Sequence, residues 1–440
     1  MSGDLALRRS DAHTGEELHR LIARLYPICR SITGDGVRQT LEILAEFMPL
    51  EISEVPSGTR VFDWTVPDEW NIRDAYIKNS SGERIVDFRK LNLHVLNYSE
   101  PVERRIGLAE LKQHLYTLPE TPEWVPYRTS YHDRNWGFCL SHRQLQALAD
   151  DDYEVKIDST LEPGSLTYGE WLITGRSAQE VLISCHICHP SLCNDNLSGI
   201  VVATWLATAL RDADLRYSYR FLFIPGTIGS ITWLSRNEDK LARIRHGLVL
   251  SLLGDSGGFN YKKSRRGDAE IDRRVTALLE RSREDSGIID FYPYGYDERQ
   301  FCSPGFNLPV GRLSRTPHGE FPEYHTSADN LDFVKPEKLA QSCDLLCDIV
   351  ESLENAEKYL NLSPKCEPQL GKRGLFKKIG GHSKSKETQM ALLWVLNLSD
   401  GEHSLEDIVA RSGLSSATVR EAVEALLGTD LLQPVEATSE

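Results

Sequence analysis

Several features are scarce in this 440-residue chain, and each scarcity excludes a class of protein. No apolar run approaches the roughly 20 residues that a membrane helix requires, so no membrane association is expected. The first twenty residues are polar and lack the apolar core of a secretory signal, which predicts a cytoplasmic location. Positive charge is in deficit: Lys and Arg number 50 against 65 Asp and Glu, for a formal net charge of -15. A general nucleic-acid binder needs clustered Lys and Arg to meet phosphate. The two short basic clusters, Lys262 to Arg266 and Lys372 to Lys378, read instead as solvated loops. The nine cysteines are an odd number, and several, such as Cys139 and Cys185, sit among apolar residues. Disulfide scaffolds are short and secreted, so reduced buried thiols are expected here. Internal repeats are also missing. A chain of this length with 40% hydrophobic residues predicts two or three folded domains.

Apolar residues at three- and four-residue spacing predict helix from about 15 to 50, broken near Pro27 and Gly34. Residues 61–165 differ: they carry Trp64, Trp70, Trp124 and Trp136, many prolines and short alternating runs such as Asn92 to Asn97. They predict an inserted, mostly β subdomain. From residue 166 the pattern becomes α/β, with strands predicted at 169–175, 180–186, 219–225 and 246–254 and helices at 198–213 and 231–245. Continuous apolar strands alternating with helices predict a mainly parallel sheet flanked by helices. Sites in such folds form at the carboxyl ends of strands. On this reading residues 1–60 and 166–360 form one domain that closes with a helix over 335–360. Residues 361–385 form a linker and 386–440 a winged-helix domain, with helix starts at Ser404 and at Ser415 or Ser416.

The most informative segment runs from Ser184 to Gly199. His186 ends a strong apolar strand, His189 follows, and Asp195 stands in a loop just before a helix. Imidazole and carboxylate on rigid supports suit zinc, with one position left open for water. Far downstream, His325 lies in a polar loop with Thr326, Ser327 and Asp329, and is a candidate third ligand; Asp329 reads alternatively as a helix cap. Asp255, at another strand terminus, reads equally as a further ligand or as a loop carboxylate.

These residues resemble the co-catalytic zinc aminopeptidases, the group containing bacterial leucyl aminopeptidases and glutamate carboxypeptidase II. In that group a His after a strand, an Asp in an Asp-Asn-x-Ser-Gly loop and a His near the C-terminus hold metal. His186, Asp195 and His325 match those positions, and Asp255 matches a further metal carboxylate. More closely, the chain resembles a bacterial family of aminopeptidase-like domain proteins with an inserted β-rich domain and a C-terminal winged helix. The matching stretches are Arg30 to Gly36, Val61 to Ile72, Ser184 to Gly199, Tyr296 to Phe301 and Tyr324 to Ser327. The resemblance implies a zinc-peptidase-like α/β fold that binds Zn2+.

Two positions depart from that pattern. The second residue after a metal-bound His is usually Asp, which orients the imidazole; here it is Cys188. A Glu pair, one a general base and one a ligand, is replaced by the turn Pro225 to Ser230, which favours one metal over two. Substitute bases are Glu323, Glu298 and His189, with an Arg299 ion pair as the plainer reading of Glu298. Arg299, Tyr324, His132, Trp136 and Arg30 are candidates to hold substrate, Arg299 through its two-pronged guanidinium.

The leading expectation is a zinc-dependent amide hydrolase acting on a small peptide or amino-acyl conjugate. The rivals are a catalytically silent metabolite-binding or scaffold protein, and a winged-helix regulator. From Glu387 to Glu440 there are ten acidic residues and two basic ones, so the winged helix reads as a protein-docking module rather than a DNA binder. A homo-oligomer is compatible with this architecture.

Overall fold

The computed structural model describes residues 4–131, 133–282, 285–375 and 383–435. They form two compact units, residues 7–349 and a second one that gathers the first residues with 350–435.

The larger unit is built on an eight-stranded sheet. Its strands are β1 (Glu51–Pro56), β2 (Ser165–Ile173), β3 (Glu180–His186), β4 (Ser218–Ile224), β5 (Ile244–Leu250), β6 (Phe259–Lys262), β7 (Ser286–Ile289) and β8 (Val310–Ser314). Their spatial order is β1-β2-β4-β3-β5-β8-β6-β7. The central four, β4, β3, β5 and β8, run parallel, while β1, β2 and β6 pair antiparallel toward the edges. All seven residues of β3 are buried, as a strand covered on both faces requires. The helix Gly199–Leu210 is apolar nearly all round and has nine buried residues, so it serves as core.

The predicted strands 180–186 and 219–225 coincide with β3 and β4 to within a residue. The predicted strands 169–175 and 246–254 overlap β2 and β5, which end earlier. The strands β1 and β6 to β8 escaped the sequence reading. Each has only four to six residues, too few to carry a period. The predicted N-terminal helix is two helices, Ala12–Leu25 and Asp35–Ala45. Asp11 caps the first by accepting from Thr14 N. Gly34 precedes the second at φ 95°, where a Cβ would stand 2.0 Å from the Trp70 carbonyl oxygen, so only glycine fits.

The insertion after β1 is β-rich as expected. Glu69–Lys78 and Asp152–Glu162 pair antiparallel at its centre, flanked by Arg84–Asp87 and Val102–Gly107. Trp70 is buried in this sheet and donates its Nε1–H to the Ser99 carbonyl at 2.8 Å.

In the smaller unit, helices Ser383–Leu398, Leu405–Ser412 and Ser416–Leu427 pack with a three-stranded sheet. Ser404 and Ser415 cap the second and third helices. The expected boundary moves. Strand Lys358–Asn361 is the middle strand, between Asp400–Ser404 and Leu432–Pro434, and Leu370 is buried in the same core. Much of the segment read as a linker therefore belongs to this unit, because its sparse apolar residues are the ones the helices cover. Arg420, on the helix Ser416–Leu427, is paired with Glu357 at 2.9 and 3.0 Å.

Leu206 is fully buried on the core helix. Leu206→Ala is expected to cost about 2–5 kcal/mol, read as a lower urea midpoint for the larger unit.

Candidate metal centre

Three separate segments converge at the carboxyl ends of the parallel strands. The first is the end of β3. Its last residue, His186, is fully buried, and Ile187 N–H continues the strand by donating to Ile224 O at 2.9 Å. The chain then turns back. Arg30, also fully buried, donates from Nε to the His189 carbonyl at 2.8 Å and from Nη1 to Leu25 O at 2.8 Å. The second segment is a π-helical turn, Cys193–Ser198, which leads into the core helix. Asp329 accepts the backbone N–H groups of Asn194 and Asp195 at 2.6 and 3.0 Å. Asn196 Nδ2 reaches Leu250 O at the end of β5 at 3.0 Å. Asp195 is thereby clamped from both sides. The third segment carries His325, which sits at φ 55°, and the insertion holds it there: Tyr127 N–H donates to the His325 carbonyl at 2.7 Å. Val125 and Ser327 are hydrogen-bonded in both directions beside it.

These supports gather a compact group. His186 Nε2 lies 2.8 Å from Asp195 Oδ1, and His325 Nε2 lies 3.0 Å from Asp195 Oδ2. His189 stands between the two imidazoles, its ring centroid 4.9 Å from His186 and 5.2 Å from His325. Potential donor atoms of His186, His189 and Asp195 all fall within 4.8 Å of one another. Burial alone would push the Asp195 carboxyl up. The neighbouring His189 and the bonds to His186 and His325 outweigh this and hold it well below the usual carboxylate range. Burial likewise keeps His189 well below the usual imidazole value. An ionised carboxylate beside imidazoles is a nitrogen and oxygen donor set that suits zinc. One polar atom is left over: His186 Nδ1 is buried with no hydrogen-bond partner. Cys188 stands where an orienting Asp would, but its Sγ faces Tyr296 Oη (3.4 Å), Gly226 O (3.6 Å) and His189 Nδ1 (3.7 Å).

The expected candidates divide. His186, His189, Asp195 and His325 are brought together, with His325 on the outer oxygen of Asp195. Asp255 is not part of the group. Its buried carboxylate accepts from Asn194 Nδ2, Gly257 N and Thr316 Oγ1, which leaves it a loop-holding role. Glu298 is paired, though not with Arg299: Lys262 Nζ lies 2.9 Å away, Arg312 3.8 Å away, and Tyr296 N–H donates to it at 3.0 Å. It is committed and fully buried, and so is no base. Glu323 contributes its backbone carbonyl to Thr326, while its carboxylate makes none of the hydrogen bonds of the cluster. Arg30 is a clamp beneath His189, which takes it out of substrate contact. Tyr324 stacks on the His325 ring at 3.9 Å. Trp136 stacks on His114 at 3.6 Å within the insertion, away from the cluster. His132 lies outside the described residues.

Other members went unnoticed in the sequence. Tyr296 packs 3.9 Å over His186, and burial holds its phenol well above the usual tyrosine value. His318 stacks parallel to Tyr296 at 5.7 Å; Arg312 Nη1 lies 3.0 Å from its Nδ1, and its Nε2 has no partner. The signal for His318 was available, seven residues before His325. Asp297 is buried behind the cluster, where it accepts from Ser230 Oγ at 2.8 Å, and burial pushes its carboxyl up to about 7. The turn that lacks the Glu pair is filled from the same side. A Cβ on Gly226 would meet the Tyr296 ring at 2.2 Å.

Above the cluster opens a cleft of about 420 Å³. The insertion supplies Trp64, Tyr127 and Tyr131, and the sheet domain supplies Gly226, Tyr296 and Arg299.

The parallel sheet with antiparallel strands toward its edges and the carboxylate–imidazole group at the strand ends define an aminopeptidase-like α/β domain. The chain belongs to the family described as "Domain of unknown function (DUF4910)", whose model matches residues 19–356; a winged helix-turn-helix model matches 357–434. A Clostridium acetobutylicum protein is 53% identical over 427 residues, 97% of this chain and 98% of its own length; its provisional name pairs polysaccharide biosynthesis with an aminopeptidase-like domain. A crystal structure from the same organism, described provisionally as a peptidase, has a TM-score of 0.83 at 52% identity and covers 96% of this chain and 97% of that one. The zinc aminopeptidase of Bacillus subtilis shares the fold, with a TM-score of 0.58 at 15% identity over 79% of this chain and 96% of that one.

Gly226→Ala is expected to destabilise by about 1–3 kcal/mol through overpacking against Tyr296. In the Gly226→Ala/Tyr296→Ala double variant the two penalties should not add, whereas Tyr296→Phe in the Gly226→Ala background should relieve nothing; thermal melting of wild type, the single variants and both double variants checks this.

Proposed function

We propose that the protein is a zinc-dependent amide hydrolase, with one ion held by His186, His189 and Asp195 and with His325 fixing the second oxygen of Asp195. The observation that supports it most is the buried Asp195 carboxylate, held ionised with one imidazole Nε2 on each oxygen. Zinc held there would supply a Lewis acid for the amide carbonyl and would lower the pKa of a bound water to near 7. The protein's own groups do the rest. Arg30 and Asp329 hold the backbones of His189 and Asp195 in place. Tyr296, kept protonated by burial, is a hydrogen-bond donor at the cleft and not a base. Gly226 leaves the room that the phenol occupies. None of the carboxylates considered as a base reaches the cluster through a hydrogen bond, so turnover is expected to lack the ~10²–10⁴-fold that a positioned base adds.

A second reading, favoured by the Gly226–Thr227 turn, is a non-catalytic metabolite-binding or scaffold protein. The winged helix is proposed as a protein-docking module. Its charge balance is acidic, and Arg420 on the helix Ser416–Leu427 is neutralised by Glu357. The relative's provisional name favours a biosynthetic setting.

Elemental analysis of untagged protein tests the metal. About one equivalent of zinc is expected in wild type and none in His186→Ala. Affinity should weaken about 10–100-fold in His325→Ala, the effect of losing a group that orients a ligand. Zinc-free wild type after reconstitution would favour the second reading.

A further inference from the structure

The cleft is charged in one direction. Among the described residues that line it there are two arginines, Arg128 and Arg299, and no Asp or Glu. The carboxylate of the cluster, Asp195, has both oxygens engaged by His186 and His325. An ammonium group entering this space would give up hydration and meet no carboxylate in the lining, which is unfavourable. An anion meets the opposite situation. Arg299 Nε is buried with no hydrogen-bond partner, and a guanidinium cannot relieve that by losing its proton. The adjacent acid, Asp297, is turned to Ser230 and held toward its neutral form. Arg299 therefore carries a planar fork of donors whose charge no hydrogen-bonded carboxylate offsets, and that fork matches a carboxylate in two-point contact. The walls facing it are aromatic: Trp64, nearly half exposed, and the hydrogen-bonded pair Tyr127 and Tyr131, whose hydroxyls lie 2.7 Å apart.

We infer that the cleft recognises a carboxylate-bearing amide whose nitrogen is acylated, with the carboxylate on Arg299 and an apolar acyl or ring portion against Trp64 and Tyr127, rather than a substrate with a free amino terminus. The inference deepens the amide-hydrolase reading and rests on it. It separates this chain from an aminopeptidase in the strict sense: the lining that would receive an α-ammonium is absent among the described residues, and a lining that receives an anion stands in its place.

Titration calorimetry on the full-length protein tests it with three probes: hippurate (N-benzoylglycine), its neutral amide, and phenylalanine amide, which carries a free ammonium. Each is run on zinc-reconstituted and on chelator-treated protein. Hippurate is expected to bind at least tenfold more tightly than the other two in both forms. In Arg299→Gln its advantage over the neutral amide should vanish while the melting temperature stays near wild type. The wild-type comparison of hippurate with its amide needs no variant, so a misfolded Arg299→Gln leaves the test intact. Equal or absent binding of hippurate and its amide would overturn the inference, as would tighter binding of phenylalanine amide or of inorganic phosphate used as a fourth probe. Failure to take up zinc with the hippurate preference retained would count against the hydrolase reading and leave the carboxylate specificity standing.

Discussion

The site depends on one buried carboxylate. Asp195 is fully buried, and an isolated carboxylate in such a place would take up a proton. It stays ionised because imidazoles approach both of its oxygens and a third stands close by. The surrounding architecture fixes those approaches. His186 is set by the end of a strand whose every residue is buried. The Asp195 backbone is set by Asp329 on one side and, through Asn196, by β5 on the other. His325 is set by the insertion, through Tyr127. The insertion is therefore part of the site's construction as well as a wall of its cleft.

The departures from the aminopeptidase pattern form a connected set. With glycine at 226 in place of a carboxylate, the Tyr296 ring packs into the turn, and its hydroxyl meets Cys188, which itself replaces the usual orienting Asp. His318 stacks parallel to the same ring. A hydrogen-bonded acidic corner has become an aromatic and thiol corner, with His186 Nδ1 left unpartnered in consequence. Such a corner keeps the means to hold a metal and changes what is offered to a ligand: a neutral phenol donor and a guanidinium whose Nε has no hydrogen-bond partner.

Much of this was legible in the sequence, for specific reasons. His186 and Asp195 stand at a strand end and at a helix start, and both boundaries are marked by continuous apolar runs. His325 was visible because a polar loop rich in His, Thr, Ser and Asp has few structural uses. What was not legible depends on tertiary geometry. Arg30 looked like a substrate ligand because a charged residue in a loop is usually exposed, yet burial pulls its guanidinium down to about 10 and backbone carbonyls take up two of its nitrogens. Glu298 read as a base or as the partner of Arg299 because its actual partners, Lys262 and Arg312, come from strands 36 and 14 residues away in sequence. Asp255 follows the end of β5 as His186 ends β3, but its loop turns it toward Thr316. The winged-helix boundary was set too late because strand Lys358–Asn361, four residues long, gives no period of its own.

The most direct test of the central claim is the zinc X-ray absorption spectrum of the reconstituted protein. The account predicts a shell of nitrogen and oxygen only, near 2.0–2.1 Å, with the outer-shell scattering of imidazole rings. A sulfur scatterer near 2.3 Å would contradict it, because it would make Cys188 a ligand and displace Asp195 from the centre of the site.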